Sequence, residues 1–445
     1  VSIDMVRISG EKLVGGEIPI MGYKHAAVQL IAAATILREP VRLTNVPGVT
    51  DVYILSEIVK TAGGICSFKN GSLYIDSRPM RGTRIPSELS QKIHGALYLI
   101  PAFLKTSGKV EFREFGGCQI GDSVDQGARP IHHVLSVVER FGGRFYVSDD
   151  GVVGICSEFK PCTIDVLSYS GDGNGPLVSG VTKTAILCAI SCDHGESRIL
   201  HPYLKLDVLE LLDFIAERGF EVRRSAEEIR ISKRNVGSGR WSSNFPHRIA
   251  PDVSEIMTFI TLGVHTHTPV ILTNVDYRAM AGLHAELSLL EAMEVPVEWT
   301  ATGVHVWPRQ VVQSQNIVVT STGIYSDHHP FFALMLTHGR GTSTIQELVW
   351  RDRFAYLPGL NLMGADIRRD GPTITIHPSR LDRGGQTVFA SDVRAAAVLL
   401  IGSLTTPGTT TVTGIHHIDR GYENLFAKLR RLGVTIELLE QGAAP

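Results

Sequence analysis

Cysteine is sparse in this sequence and never paired at short range. Six cysteines (Cys66, Cys118, Cys156, Cys162, Cys188 and Cys192) are scattered through 445 residues. No CxxC occurs, which argues against a zinc knuckle or a disulfide framework and points to a reducing cytosol. Long apolar runs are lacking too: stretches such as VQLIAAATIL fall short of the roughly 20 residues that a spanning helix needs. The opening VSIDMVRISGEK has no apolar core of a signal peptide. An excess of one charge is also missing. With 43 Lys and Arg against 45 Asp and Glu, the net charge of −2 provides no basic field for nucleic acid. The partners expected are small molecules, with neither nucleic acid nor membrane, and a monomer or weak homo-oligomer. The histidine pairs His132–His133, His328–His329 and His416–His417 are adjacent residues, whose side chains diverge on a helix or strand, so no metal site is expected.

What is present is repetition. With 43% hydrophobic and 20% charged residues, the chain reads as a soluble protein of two or three domains. One phrase recurs six times: an apolar helix end, a small-residue turn, a strand, a polar turn and a second strand. Its copies are IVKTAGGICSFKNGSLYID, VVERFGGRFYVSDDGVVGI, FIAERGFEVRRSAEEIRIS, LEAMEVPVEWTATGVHVWP, LNLMGADIRRDGPTITIHP and LRRLGVTIELLE. Glycine or a substitute closes the helix where a left-handed residue is needed, and Val, Ile, Phe and Tyr follow, as strands prefer. Ahead of each copy runs a helix apolar nearly all round, which predicts burial on every side, and then a short strand. These helices begin near Lys24, Lys92, Thr182, Asp252, Asp327 and Asp392. The period of roughly 65 to 90 residues is too long for a thin solenoid. The reading is an α/β (α+β) chain of six βαβαββ units, three per domain, each domain of about 200 residues. The polar, proline-bearing SSNFPHRIAPD marks the boundary. One domain takes residues 22–247, with units one to three and the Cys118 loop; the other takes 1–21 and 248–445, with units four to six. The first strands, in VRISGEKLVGGEIPI, fit either block; pairing with the second would make the chain cross twice, near Met21 and near His247.

Residues suited to chemistry sit at matching ends of these units. Cys118 follows Gly116 and Gly117 in a loop, where glycines let amide groups approach an anion and an electropositive setting would make the sulfur a nucleophile or acid; a packed loop cysteine fits the same segment. Cys188 and Cys192, four apart on an apolar helix, read as core. Lys24 opens the first helix, adding charge where anions are already favoured, and Arg129 follows Cys118 in GARP. Arg353 and Arg420 lie in loops at equivalent places of units five and six, and Arg394 is just inside the sixth helix. Asp327 and Asp392 stand at helix starts, where an aspartate commonly serves as an N-cap. In unit three, Ser179, Thr182 and Lys183 follow the inserted SYSGDGNGPL; hydroxyls and a lysine there suit a phosphate on a substrate, or else a capped helix with a solvated lysine.

GYKHAA, GGCQIG with GARP, the Asp327 helix, DRFAYLP, SDVRA and HHIDRGYE, set in six units over nearly the whole chain, resemble the enolpyruvyl transferases. The pattern is most like the cell-wall branch of that family, the UDP-N-acetylglucosamine 1-carboxyvinyltransferases. The resemblance implies a two-domain inside-out α/β barrel, helices within and sheets without, with a cleft closing on the substrates. It implies transfer of the enolpyruvyl group of phosphoenolpyruvate to a hydroxyl of a uridine nucleotide, without cofactor or metal. Lys24, Arg129 and Arg420 would hold the donor phosphate, and Arg353 and Arg394 its carboxylate. Cys118 would be the acid that fosfomycin alkylates in the family, and Asp327 the base. A shikimate-pathway relative lacks the loop cysteine. RNA 3′-terminal phosphate cyclases share the unit, but the neutral charge speaks against nucleic acid.

The acceptor side departs from the cell-wall pattern. His25 stands where those enzymes carry an amino-sugar-binding Asn, and His94 where they have an arginine. Five extra residues, DSVDQ, lengthen the Cys118 loop, and His132–His133–Val134 replaces a uracil-binding Asp-Leu-His. With the catalytic residues kept, this favours the branch that attaches enolpyruvate to the 3′-hydroxyl of UMP in nikkomycin- and polyoxin-type antibiotic pathways; the alternative is the cell-wall reaction. Acceptor contacts are expected from His25, Ser179, Thr182, Lys183 and Asp327.

Overall fold

The computed structural model describes residues 3–10, 13–118, 120, 129–234, 245–300, 303–308 and 310–440. The inserted DSVDQ lies outside them. Two compact units are present: one of Gly22–Gly117 and Arg129–Ala250, the other of Val1–Met21, Cys118–Ala128 and Pro251–Pro445.

In the unit of residues 22–117 and 129–250, three helical segments form the centre: Lys24–Leu37, Gly95–Ser107 (a 3-10 turn running into an α-helix) and Leu177–Ala189. In the other unit the corresponding helices are Val253–His265, His329–Leu336 and Val393–Ser403. Every residue of Val253–His265 and Val393–Ser403 is buried, as a helix apolar on all sides requires. Sheets cover these helices. Strands alternate buried and exposed residues, as in Val41–Thr44, where Val41 and Leu43 turn to the core.

The sheets repeat one order. A strand runs parallel to the strand that follows the inner helix, and the hairpin joins antiparallel on the other side. Thr163–Asp165, Glu196–Leu200, Glu228–Lys233 and Phe220–Arg224 make one such sheet, and Asn316–Val319, Ser343–Glu347, Thr373–His377 and Asp366–Asp370 another. In unit two the parallel strand shrinks to a single bridge, Arg84 to Glu111. The sixth hairpin phrase, LRRLGVTIELLE, yields only one strand, Thr435–Glu440. Its missing partner is Ile3–Ser9, which lies between Thr410–Thr413 and Thr435–Glu440 with Val6 opposite both Val412 and Leu438. Gly16–Pro19 likewise pairs with Val270–Thr273, while His247–Arg248 returns to Val41–Thr44. The early strands therefore belong with residues 251–445.

Buried carboxylates anchor the chain at both crossings. The Met21 amide donates to Glu255, which also takes Lys428 Nζ at 2.6 Å. The Ala250 amide donates to Glu210. Among the described residues no helix is long and apolar enough to cross a membrane, and no disulfide joins any of the six cysteines, with Cys188 and Cys192 in the core as expected.

The end of helix Val253–His265 carries a histidine cluster. His265 Nδ1 and His338 Nε2 are 2.8 Å apart with one proton between them, and His265 Nε2 bonds the Thr405 hydroxyl at 2.9 Å. His267 lies 5.4 Å from the His338 ring. Burial, with His338 adjacent, holds His265 well below the ordinary imidazole range; burial, His267 and Arg380 lower His338 to about 4. These rings are neutral when folded, so their stabilisation is complete above the unfolded value of about 6.5 and is lost as pH falls from there towards 4. At 1.36 kcal/mol per pKa unit, His338 contributes a loss of about 2 kcal/mol by pH 5. Denaturant unfolding at pH 7.5 and pH 5 should show lower stability at pH 5, with a smaller difference in H338Q; equal stability at both pH values would contradict this.

Candidate active site

In the unit of residues 251–445, Asp327 lies in the segment leading into helix His329–Leu336. It is not an N-cap: the cap position is His328, and the Asp327 carboxylate turns instead to two arginines. Arg353 Nη1 donates to Oδ1 at 2.6 Å and Arg394 Nε to Oδ2 at 3.1 Å. The arginine side chains are 7% and 3% exposed and the carboxylate 22%, so Asp327 is the solvent-facing member. Asp392, by contrast, is an N-cap: it accepts from the amides of Arg394 and Ala395 and so fixes Arg394 at the second position of its helix. The Arg394 guanidinium lies 5.2 Å from the Tyr422 ring centroid. Arg353 is delivered by a turn that Glu347 organises, since Glu347 accepts from the amides of Val349 and Trp350. Although both arginines are desolvated, surrounding carboxylates, and Tyr422 beside Arg394, raise their affinity for the proton. Burial pushes the Glu347 carboxyl up.

Cys118, distant in sequence, joins the same unit. Its sulfur accepts from Arg420 Nη1 at 3.1 Å and stands 3.9 Å from His417 Nδ1. His416 packs at a tilt against His417, with ring centroids 4.0 Å apart, and pairs with Asp4 at 2.5 Å. A guanidinium donating to sulfur stabilises the thiolate that remains once Cys118 has given up its proton. Two residues earlier Gly116 is obligatory, because a Cβ there would lie 1.6 Å from the Gln91 carbonyl oxygen.

In the unit of residues 22–117 and 129–250, Lys24 is the first residue of its helix. Its ammonium lies 3.8 Å from Asp51 and the side chain is 13% exposed, so it is held rather than solvated. Lys183 is buried and ion-paired with Asp207, its ammonium 5.5 Å from the Tyr203 ring centroid. Tyr98 lies in the field of Lys183, Asp207 and Arg129, with burial raising its hydroxyl pKa. The buried Thr182 hydroxyl donates to the Val178 carbonyl and accepts from the Tyr203 amide. Ser179 is half-buried, and His25 meets Tyr23 edge-on. His133 is wedged against Gly180: a Cβ there would lie 2.1 Å from Nε2. Burial and His132 lower the His133 pKa to about 4, so the ring is neutral near pH 7. Among the described residues no His, Cys, Asp and Glu cluster fits a metal.

Sequence reasoning passed over Asp51, Asp207, Glu347 and Tyr422. Asp51 and Asp207 had a signal: each is the second residue of the outer helix of its unit, Thr50–Thr61 and Leu206–Ala216. Glu347 and Tyr422 had none, since their partners are set by tertiary packing.

Residues 8–429 match the family described as EPSP synthase (3-phosphoshikimate 1-carboxyvinyltransferase). The chain belongs to that family. This enolpyruvyl transferase is 28% identical over 440 residues to UDP-N-acetylglucosamine 1-carboxyvinyltransferase of Campylobacter lari, covering 98% of this chain and 99% of that one. It is 31% identical over 446 residues to the Gloeobacter violaceus protein of the same name, covering 99% and 92%. Among solved structures it resembles the enolpyruvyl transferase NikO from Streptomyces tendae, with TM-score 0.88, 32% identity and coverage of 97% and 98%. EPSP synthase from Acinetobacter baumannii, at TM-score 0.71 and 16% identity over 98% of this chain and 100% of that one, shares the fold. The fold is the two-domain inside-out α/β type.

Proposed function

We propose that this enolpyruvyl transferase takes the enolpyruvyl group of phosphoenolpyruvate and attaches it to a hydroxyl of a uridine nucleotide, the 3′-hydroxyl of UMP in nucleoside antibiotic formation. The observation that carries the reaction chemistry is the partly exposed Asp327 carboxylate between two buried arginines, a base beside two fixed cations. Asp327 removes the acceptor proton as the oxygen attacks C2 of the donor, and the Cys118 thiol delivers a proton to C3. The resulting tetrahedral phospho-ketal loses phosphate and a C3 proton to give the enol ether. Arg353 and Arg394 take the donor carboxylate by bidentate contacts, and Lys24, Arg129 and Arg420 the phosphate. Arg420 also keeps the Cys118 sulfur in an electropositive setting.

The acceptor reading rests on the other unit. His25, the neutral His133 against Gly180 and the half-buried Ser179 offer aromatic and hydrogen-bonding contacts that suit a nucleoside. Asp207 fixes the Lys183 ammonium in place, and Thr182 steadies Tyr203. Near-full-length similarity to proteins named UDP-N-acetylglucosamine 1-carboxyvinyltransferase supports a second reading, with that amino-sugar nucleotide as acceptor. Phosphate release should be measured with phosphoenolpyruvate plus UMP or plus UDP-N-acetylglucosamine, with the product mass determined. The expected result is turnover with UMP; turnover with the amino-sugar nucleotide alone would reverse the preference.

A further inference from the structure

The residues on either side of Asp327 are tied to two buried carboxylates. Glu286 Oε1 accepts from the Tyr325 amide at 2.8 Å and lies 2.9 Å from His328 Nδ1. With Glu286 ionised, and so able only to accept, Nδ1 carries the proton. His328 Nε2 meets the Ser254 hydroxyl at 3.0 Å. Glu286, His328 and Ser254 are all fully or almost fully buried. On the other flank Glu347 Oε2 accepts from Ser326 Oγ at 2.8 Å and lies 3.5 Å from His329 Nε2, while His329 Nδ1 bonds the Tyr356 hydroxyl at 3.2 Å. The sequence DHH thus places one solvent-facing carboxylate beside two sequestered imidazoles.

The Ser254–His328–Glu286 line has the connectivity of a nucleophile, base and orienting acid, yet its burial leaves no room for a substrate. Its effect falls on its neighbour. One Glu286 oxygen holds both Tyr325 and His328, closing the short loop that presents Asp327 to Arg353 and Arg394. Loss of the Nδ1 contact opens that loop on one side and leaves a buried carboxylate short of a donor, a cost that the flanking residues relieve by moving.

We propose that His328 is a positioning residue for Asp327, acting through its Nδ1 contact with Glu286. The inference rests on Asp327 being the base. The amide nitrogen of Asn occupies the place of Nδ1 in His, and that of Gln the place of Nε2, so each variant keeps one contact. A loosened catalytic group costs up to about 100-fold per ångström of displacement. H328Q should therefore lower kcat about 30-fold or more, with KM for phosphoenolpyruvate within about threefold. H328N should lose less than about fivefold by the same reasoning. A purely packing role would penalise both variants alike. E286Q keeps the volume but weakens the accepted bond, and should lower kcat about five- to tenfold.

Assays use phosphoenolpyruvate with UMP and, in parallel, with UDP-N-acetylglucosamine. A folded H328Q with wild-type kcat, or equal losses in H328N and H328Q, would overturn the proposal. If H328Q does not fold, E286Q decides, and wild-type kcat there overturns it. An exchange-protected imidazole N–H proton resonance, downfield of the amides, should be present in wild type with or without substrate, vanish in H328Q and H328N alike, since both lack the ring, and persist in S254A; its absence from wild type would overturn the Nδ1–Glu286 contact. Should D327N keep full turnover, the base assignment itself fails, whatever the His328 variants do.

Discussion

D327N is expected to lower kcat about 10³-fold or more, because general base catalysis contributes 10² to 10⁴ and no neighbouring group replaces it. The carboxylate is held by Arg353 and Arg394, and the other buried acids nearby are engaged elsewhere: Asp392 caps a helix, and Glu347 takes two amides and a hydroxyl. Phosphoenolpyruvate should bind D327N at least as tightly as wild type, because removing one negative charge frees two guanidinium groups for the donor carboxylate. That pairing of lost turnover with kept or strengthened donor binding separates a base from a binding residue. Leaving two buried cations less compensated destabilises the fold by up to about 3–5 kcal/mol, so the thermal midpoint is measured alongside. Weaker donor binding with only a modest fall in kcat would assign Asp327 to binding.

R420A should reduce kcat/KM for phosphoenolpyruvate about 10²- to 10³-fold, the scale of losing one preorganised donor to a developing oxyanion. It should also slow alkylation of Cys118 by iodoacetamide at neutral pH, read by intact mass with peptide mapping. Arg420 Nη1 is the group donating to the sulfur at 3.1 Å, and His417 stands farther off at 3.9 Å. R420K restores charge without the planar fork, so it should recover alkylation more than turnover. Unchanged alkylation in R420A would show that the thiol owes its reactivity to another group.

The two predictions draw on different degrees of legibility. Cys118, Lys24, Arg353, Arg394 and Arg420 could be singled out because repeated phrases mark equivalent loops and helix starts, and their types suit an anionic substrate. The six inner helices were visible because apolar residues on every face permit no surface position. The pairing of Asp327 with Arg394 was not visible, since Asp327 and Asp392 look alike as residues before a helix. Only packing shows that one caps and the other faces the arginines. The Cys118–Arg420 contact spans about 300 residues and leaves no local pattern. The sixth hairpin was half legible: its first strand reads clearly, but its second is Ile3–Ser9, from the other end of the chain.

That last feature bears on synthesis. A strand around Val6 needs partners around Val412 and Leu438, which leave the ribosome some 400 residues later. During translation the unit of residues 22–250 emerges with all its own sheet strands, whereas Ile3–Ser9 waits with bare edges that invite intermolecular pairing. The half of the protein that holds Asp327 and Cys118 is thus the last to mature, and a nascent chain stalled before Thr410 carries a finished first unit beside an open sheet.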